Sequence, residues 1–376
     1  MPNGRLTSAQ DIEDFTRGTD ILSGSGGPTK EARARLRETL EAGLALGWRD
    51  LAELPDDARV VSTFFSGSIA PGRYDRSGIE REWGIETTVT RPLVAAVREL
   101  EAHLGVVFDA VIPIEIGGNN TGQATDAAAQ LGKVLVDGDY AGRAIPEVTC
   151  ITPNWAGKSL APVACCDYYG TRTVVKAAPR DRLTERVGKH LAMASFGSVG
   201  CAAFALSGRE VKALAVPGTL TRSLAVGRAV RETQARGEDT VQAVLRALGD
   251  AWLVFQGEIV ERTWENRDGY MWGEHEVAGS GSGPYRGRHL RLWFKNENHM
   301  TWLDGRPYLS SPDVIEVVDP KTAEPLVNTY LEKGQPVTVI GIKRGPHFDT
   351  PAGIEAMGPR HWGFDVDFTP IERLIG

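Results

Sequence analysis

VVFDAVIPIEIGGNNTGQATDAAAQLGKVLVDGDYAGRAIPE, residues 106–147, sets two short apolar runs on either side of an alanine-rich stretch. The first run, 106–118, reads as a buried strand that ends in glycines. Residues 121–131 read as a helix, and KVLVDGD, 133–139, reads as another short buried strand. Working upstream, RVVSTFFSGSIAP (59–71) predicts a strand ending in small residues, and Leu93, Val97, Leu100 and Leu104 mark an amphipathic helix. Further upstream, Ser8 caps a short helix, and a loop with Gly24, Gly26 and Gly27 feeds a long helix carrying Leu36, Leu40 and Leu44 on one side. Strands and helices in alternation are the pattern of a parallel sheet covered by helices.

Downstream the pattern changes. Residues 184–250 read as a helix, a small-residue strand (VGCAAFAL) and two more helices. From Trp252 onward, β-type runs alternate with turns, and GSGSGPYRG (279–287) reads as a hairpin loop. The expected fold class is α/β: an N-terminal α/β domain with a mostly parallel sheet over 1–165, then a C-terminal α+β domain rich in β-structure over 166–376. The 376-residue length, about twice that of one ordinary domain, agrees with two domains.

The formal net charge is −7, and the basic residues are scattered rather than gathered into a stripe, so nucleic acid is not an expected partner. No run has the roughly 18 apolar residues of a membrane span, and the first residues lack a secretory pattern. No membrane and a cytoplasmic location are therefore expected. Cys150, Cys165, Cys166 and Cys201 have no CxxC spacing, which argues against disulfides and a cysteine-built zinc site. The seven histidines form neither HxH nor HExxH, although His299 and His347 could reach a domain interface. Trp252, Trp264, Trp272, Trp293 and Trp302 fall in the β-rich part, where they supply core or a homo-oligomer interface.

In open parallel sheets ligands sit outside the carboxyl ends of the strands. Residues 23–27, 66–68, 115–120 and 137–147 all lie at such ends or at helix starts, so they are expected to form one rim. Glu115, Asp137 and Asp139 are candidate general bases or divalent-metal ligands, because partial burial and close like charge raise carboxyl pKa values. Arg143 is a candidate clamp for a developing negative charge. The alternative is that Asp137 and Asp139 cap a turn and that Arg143 pairs with Glu147 to fix the loop. Gly26, Gly27, Gly117 and Gly118 would admit a ligand close to the backbone. Asn119 suits a planar ring with N–H and C=O groups, with Glu147 and His299 as further substrate contacts. SGSGG matches neither a P-loop nor GxGxxG, so no nucleotide is expected.

ILSGSGG, PIEIGGNN, VDGDYAGRAIPE, VPGTLTRSLAVGRAV, NENHMTWLDG, PDVIEVVD, VTVIGI and GPRHWGFDVDFTP occur in an order that resembles the S-methyl-thiohydantoin desulfurase-like family, long catalogued as a domain of unknown function and often found beside hydantoinase and oxoprolinase proteins. The resemblance implies two domains meeting near residue 165. It also implies a hydrolase that removes the sulfur substituent of a five-membered thiohydantoin ring, leaving a hydantoin and a thiol. The alternative is a non-catalytic ligand-binding or partner subunit of a hydantoinase-like assembly, and a related ring reaction also fits.

Overall fold

The computed structural model describes residues 4–72, 75–280 and 283–375, so the hairpin loop expected at 279–287 lies partly outside the described residues. The strands of the first sheet are β1 (Gly4–Leu6), β2 (Leu46–Asp50), β3 (Arg59–Gly67), β4 (Ala110–Pro113), β5 (Val134–Asp139), β6 (Val163–Cys166), β7 (Arg172–Val175), β8 (Ser198–Ser207) and β9 (Val216–Pro217). Their order is β1-β2-β5-β4-β3-β8-β6-β7, with β9 added beside β5. β2, β5, β4 and β3 run parallel, as the alternating sequence pattern demands. The sheet as a whole is mixed, because β8, β6 and β7 extend it antiparallel beyond β3. The first sheet thus draws strands from both sides of the residue 165/166 junction.

The parallel centre is held by burial. Val111, Ile112, Leu135 and Val136 in β4 and β5 are at most 2 % exposed, and each such aliphatic side chain stabilises the fold by about 1.5–3 kcal/mol when fully removed from water. β4 is shorter than the apolar run suggests, because the helix Gly118–Leu131 takes over at the glycines. That helix ends at Gly132, whose φ of +66° suits a left-handed cap. The helix after the glycine-rich loop spans Lys30–Glu41, which leaves Leu44 beyond its end and partly exposed.

The second sheet is antiparallel. It comprises β10 (Ala251–Arg267), β11 (Tyr270–Gly279), β12 (His289–Lys295), β13 (Glu297–Leu303), β14 (Arg306–Ser310), β15 (Val314–Val318) and β16 (Pro336–Ile342), in the order β14-β13-β12-β11-β10-β16-β15. The C-terminal part is therefore strand-rich, as expected. Trp272 and Trp293 meet edge-to-face at 5.9 Å, and Trp302 packs on Phe364, so these tryptophans contact one another and the C-terminal segment. All four cysteines are free and buried. No helix among the described residues is long and apolar enough to cross a membrane.

Two features tie the halves together. The helix Ala9–Ile21 packs on the helix Thr219–Arg236 through reciprocal glycines: a Cβ on Gly18 would lie 1.7 Å from the Ser223 carbonyl oxygen, and one on Gly227 would lie 1.7 Å from that of Asp14. Since the obstacles are backbone atoms, Gly227→Ala is expected to force the helices apart and lower stability by about 1–3 kcal/mol, the usual cost of overpacking. Chemical denaturation reads this directly; an unchanged midpoint would mean that the helices slide without cost. The second tie is the loop 23–27. The Ser25 N–H donates to Glu316 Oε2 at 2.6 Å, and the Ser25 carbonyl and the Gly24 carbonyl accept from the N–H groups of Asn328 and Asn298.

Candidate active site

A cleft of about 530 Å³ opens at the carboxyl ends of β3 and β4. Its floor carries Glu115, delivered by β4, and Glu297, the first residue of β13. Lys189, from the helix Asp181–Ala194, completes a group of three buried charges lining the cleft. Gly27, Gly117, Gly118 and Asn119 also line it, as do Ser66 and Ser68. All four strand-end segments expected to share a rim therefore line the cleft, the fourth through Ala144, Ile145 and Pro146.

The chemistry of the floor follows from its solvation. Glu115 Oε1 accepts from Asn120 Nδ2 at 2.5 Å and Oε2 from the Ile145 N–H at 2.6 Å. Burial nevertheless dominates and pushes its carboxyl up to about 7. Burial, followed by the charge of Glu115, pushes Glu297 up to about 8, and its buried Oε2 has no hydrogen-bond partner. Both carboxyls flank the Ala144 methyl. A Cβ on Gly26 would stand 3.0 Å from Glu297 Oε1 and 3.5 Å from Ala144 Cβ, while one on Gly117 would stand 3.0 Å from Glu115 Oε1 and 3.4 Å from the same Cβ. The ammonium of Lys189 donates to the Gly67 carbonyl at 3.2 Å. Burial lowers its pKa, against the opposing pull of Glu185, Glu297 and Glu115. Two carboxyls that favour protonation near neutral pH, under the charges of both Lys189 and Arg143, have the make-up of a proton-transfer set.

Family models match residues 10–177, as the S-Me-THD-like N-terminal domain, and residues 179–371, as the S-Me-THD-like C-terminal domain. The chain belongs to the S-Me-THD-like family. No curated protein matches it. A crystal structure of a protein from Chromobacterium violaceum has the same fold, with a TM-score of 0.75 and 20 % identity over 98 % of this chain and 99 % of that one.

In this S-Me-THD-like chain several other expected site residues stand apart from the cleft. Asp137 Oδ1 accepts from the N–H groups of Leu220 and Thr221, and its Oδ2 accepts from the Thr221 hydroxyl at 2.5 Å. It therefore caps the helix Thr219–Arg236 in place of a base or metal ligand, the structural role weighed for it, with a helix far along the chain instead of a local turn. Asp137→Ala is expected to cost about 1 kcal/mol of stability while leaving turnover per folded molecule unchanged; a parallel loss of turnover would return Asp137 to the site. Asp139, wholly buried, takes the Ala141 and Gly142 N–H groups on Oδ1, each at 2.6 Å, and so closes the turn after β5. Burial lifts its pKa to about 7. Neither aspartate lines the cleft with Glu115, so the three do not gather as a metal site.

Arg143 is 1 % exposed and spends its guanidinium on the carbonyls of Ala144, Pro312, Asp313 and Asn298. It staples the 140–147 loop to the second sheet, and its charge also acts on Glu297 and Glu115. Gly26 shapes the wall by admitting Glu297. Gly118 owes its lack of a side chain to Asp20, whose Oδ1 would lie 1.9 Å from a Cβ there. Asn119 Oδ1 already accepts from the Ala32 N–H and Gln123 Nε2, so it holds two helices together at the cleft edge. Glu147 faces away from the cleft towards Lys295 and His361. His299 is buried against the Trp362 ring at 4.1 Å, with Nδ1 3.3 Å from Ser311 Oγ, and does not line the cleft. His347 Nε2 lies 2.9 Å from the Ala141 carbonyl oxygen, beside the turn that Asp139 closes.

The sequence reading missed Glu297 and Lys189. Glu297 stood two residues from the histidine that drew attention in NENHM. Lys189 carried one available signal: it is a charged residue, four after Glu185, on a helix that reads as amphipathic.

Proposed function

We propose that the cleft hydrolyses the exocyclic C–S bond of a five-membered cyclic thioimidate, an S-methyl thiohydantoin, giving the hydantoin and methanethiol. The observation that carries this reading is the buried Glu115–Glu297 pair beside Lys189, and the S-Me-THD-like family supports the ring class. Glu115, held by two donors, is the ionised member and takes a proton from water as the water oxygen bonds to the ring carbon. Glu297, with the higher pKa and a free Oε2, is the protonated member and gives its proton to the ring nitrogen.

Collapse of the tetrahedral intermediate forms a new C=O from the added hydroxyl and breaks C–S. The departing sulfur takes the proton from Glu115, and the hydroxyl proton returns Glu297 to its acid form. Water thereby supplies both hydrogens of the products, and neither carboxyl is consumed. The Lys189 ammonium stabilises negative charge as it builds on oxygen.

Incubation of the purified protein with S-methyl thiohydantoins and colorimetric reading of the thiol tests the reaction. Time-dependent release proportional to enzyme is expected. Ring binding without release would replace this reading with that of a ligand-binding subunit.

A further inference from the structure

On the far side of the cleft-lining loop, Glu147, Cys150 and His361 bring one carboxylate oxygen, one thiol and one imidazole nitrogen within 4.8 Å of one another. This is the one such three-residue group among the described residues. Glu147 Oε2 lies 3.1 Å from His361 Nε2, and Cys150 Sγ lies 3.9 Å from the same nitrogen. A tetrahedral zinc ion with N and O ligands near 2.0 Å and sulfur near 2.3 Å has edges of about 3.3 Å between nitrogen and oxygen, and about 3.6 Å between nitrogen and sulfur. The three atoms thus already stand close to the edges of such a tetrahedron.

We propose that Glu147, Cys150 and His361 bind one zinc-type transition-metal dication, with the fourth position open to water or a small ligand. The donor set, one thiolate, one imidazole and one carboxylate, suits zinc or cobalt and disfavours magnesium and calcium, which prefer all-oxygen shells. His361 lines a second, open cleft of about 750 Å³ with Thr149, Trp155 and Arg180, which gives the ion its entry path. The ammonium of Lys295 pairs with the other Glu147 oxygen, so Oε2 is the one that serves the ion. The Cys150 thiol donates to the Ala356 carbonyl, and on binding its proton passes to solvent as the S–metal bond forms. The ion would fasten the loop carrying Ala144, Ile145, Pro146 and Val148, one wall of the first cleft, to the turn Pro359–Trp362. This inference is independent of the proposed hydrolysis.

Titration of the metal-stripped full chain with Co²⁺ tests it. One equivalent is expected to produce a thiolate-to-cobalt charge-transfer band in the near ultraviolet, displaced by Zn²⁺. Cys150→Ser should abolish the band. His361→Gln, at a side chain 23 % exposed and so little risk to folding, should weaken Zn²⁺ binding by more than the about 10–100-fold typical of losing an outer-shell partner. No band in the unmodified chain, a band that survives Cys150→Ser, or Zn²⁺ affinity unchanged in His361→Gln would each overturn the assignment.

Discussion

Glu115→Gln is expected to lower kcat for thiol release by about 10²–10⁴-fold, the usual contribution of a positioned general base, with KM changed little. The amide is nearly isosteric but cannot take the proton from water. It also turns an –NH2 group towards either Asn120 Nδ2 or the Ile145 N–H, both of which now donate to the carboxylate. The chain should still fold, because the carboxyl position is set by β4 and the helix behind it; a melting curve taken alongside the kinetics separates lost chemistry from lost structure. Undiminished turnover in a folded Glu115→Gln protein would sink the assignment of the base.

Glu297→Gln should cost a comparable factor in kcat and should change the pH profile in a way that a purely structural residue would not. The proposed mechanism requires Glu115 ionised and Glu297 protonated in the active form. Thiol release should therefore follow a bell whose limbs belong to the pair and fall around neutral to mildly alkaline pH. The variant should lose the alkaline limb.

Stability should move the other way. Asp20, Glu115, Asp139 and Glu297 all have folded pKa values of about 7 to about 8, above those of an unfolded chain. The folded state binds these protons more tightly, so their contribution is fully present below the ordinary carboxyl range and is lost as pH rises through the folded values. Glu147 acts oppositely: burial alone would raise it, but His361 and Lys295 hold it at about 2, so its contribution is fully present above the ordinary carboxyl range and is lost as pH falls from there through about 2. The melting temperature is expected to fall from pH 5 to pH 8, and less steeply in Glu297→Gln. An equal fall in both proteins would show that Glu297 is not a buried acid.

The parts of this arrangement visible in the sequence are those set by local pattern. The parallel centre was legible because β4 and β5 are apolar runs on either side of an alanine-rich helix. Glu115, Gly117 and Asn119 were legible because a chain leaving a parallel strand must pass the ligand-binding edge. Asp137 and Asp139 stood at an equally good strand end, but an acid there serves a helix N-terminus or a turn as readily as a ligand. The helix that Asp137 caps begins about eighty residues later. Glu297 and Lys189 reach the cleft only through the packing of the second sheet and a helix against the first, which no local pattern encodes. The antiparallel flank β8-β6-β7 was hidden for the same reason: β8 reads as a strand, but nothing in it names its neighbours.

The contact between Ser25 and Glu316 sets an order of events during synthesis. The loop 23–27 leaves the ribosome 291 residues before the glutamate that receives its N–H, which at about 5–20 residues per second is a delay of roughly 15–60 s. For the greater part of that interval the nascent chain holds Glu115 and the glycines, while Glu297 and the strands that fix the loop emerge only near its end. A translating ribosome therefore carries a half-built cleft, whose floor is completed only once β13 and β15 have emerged, late in synthesis rather than step by step with chain length.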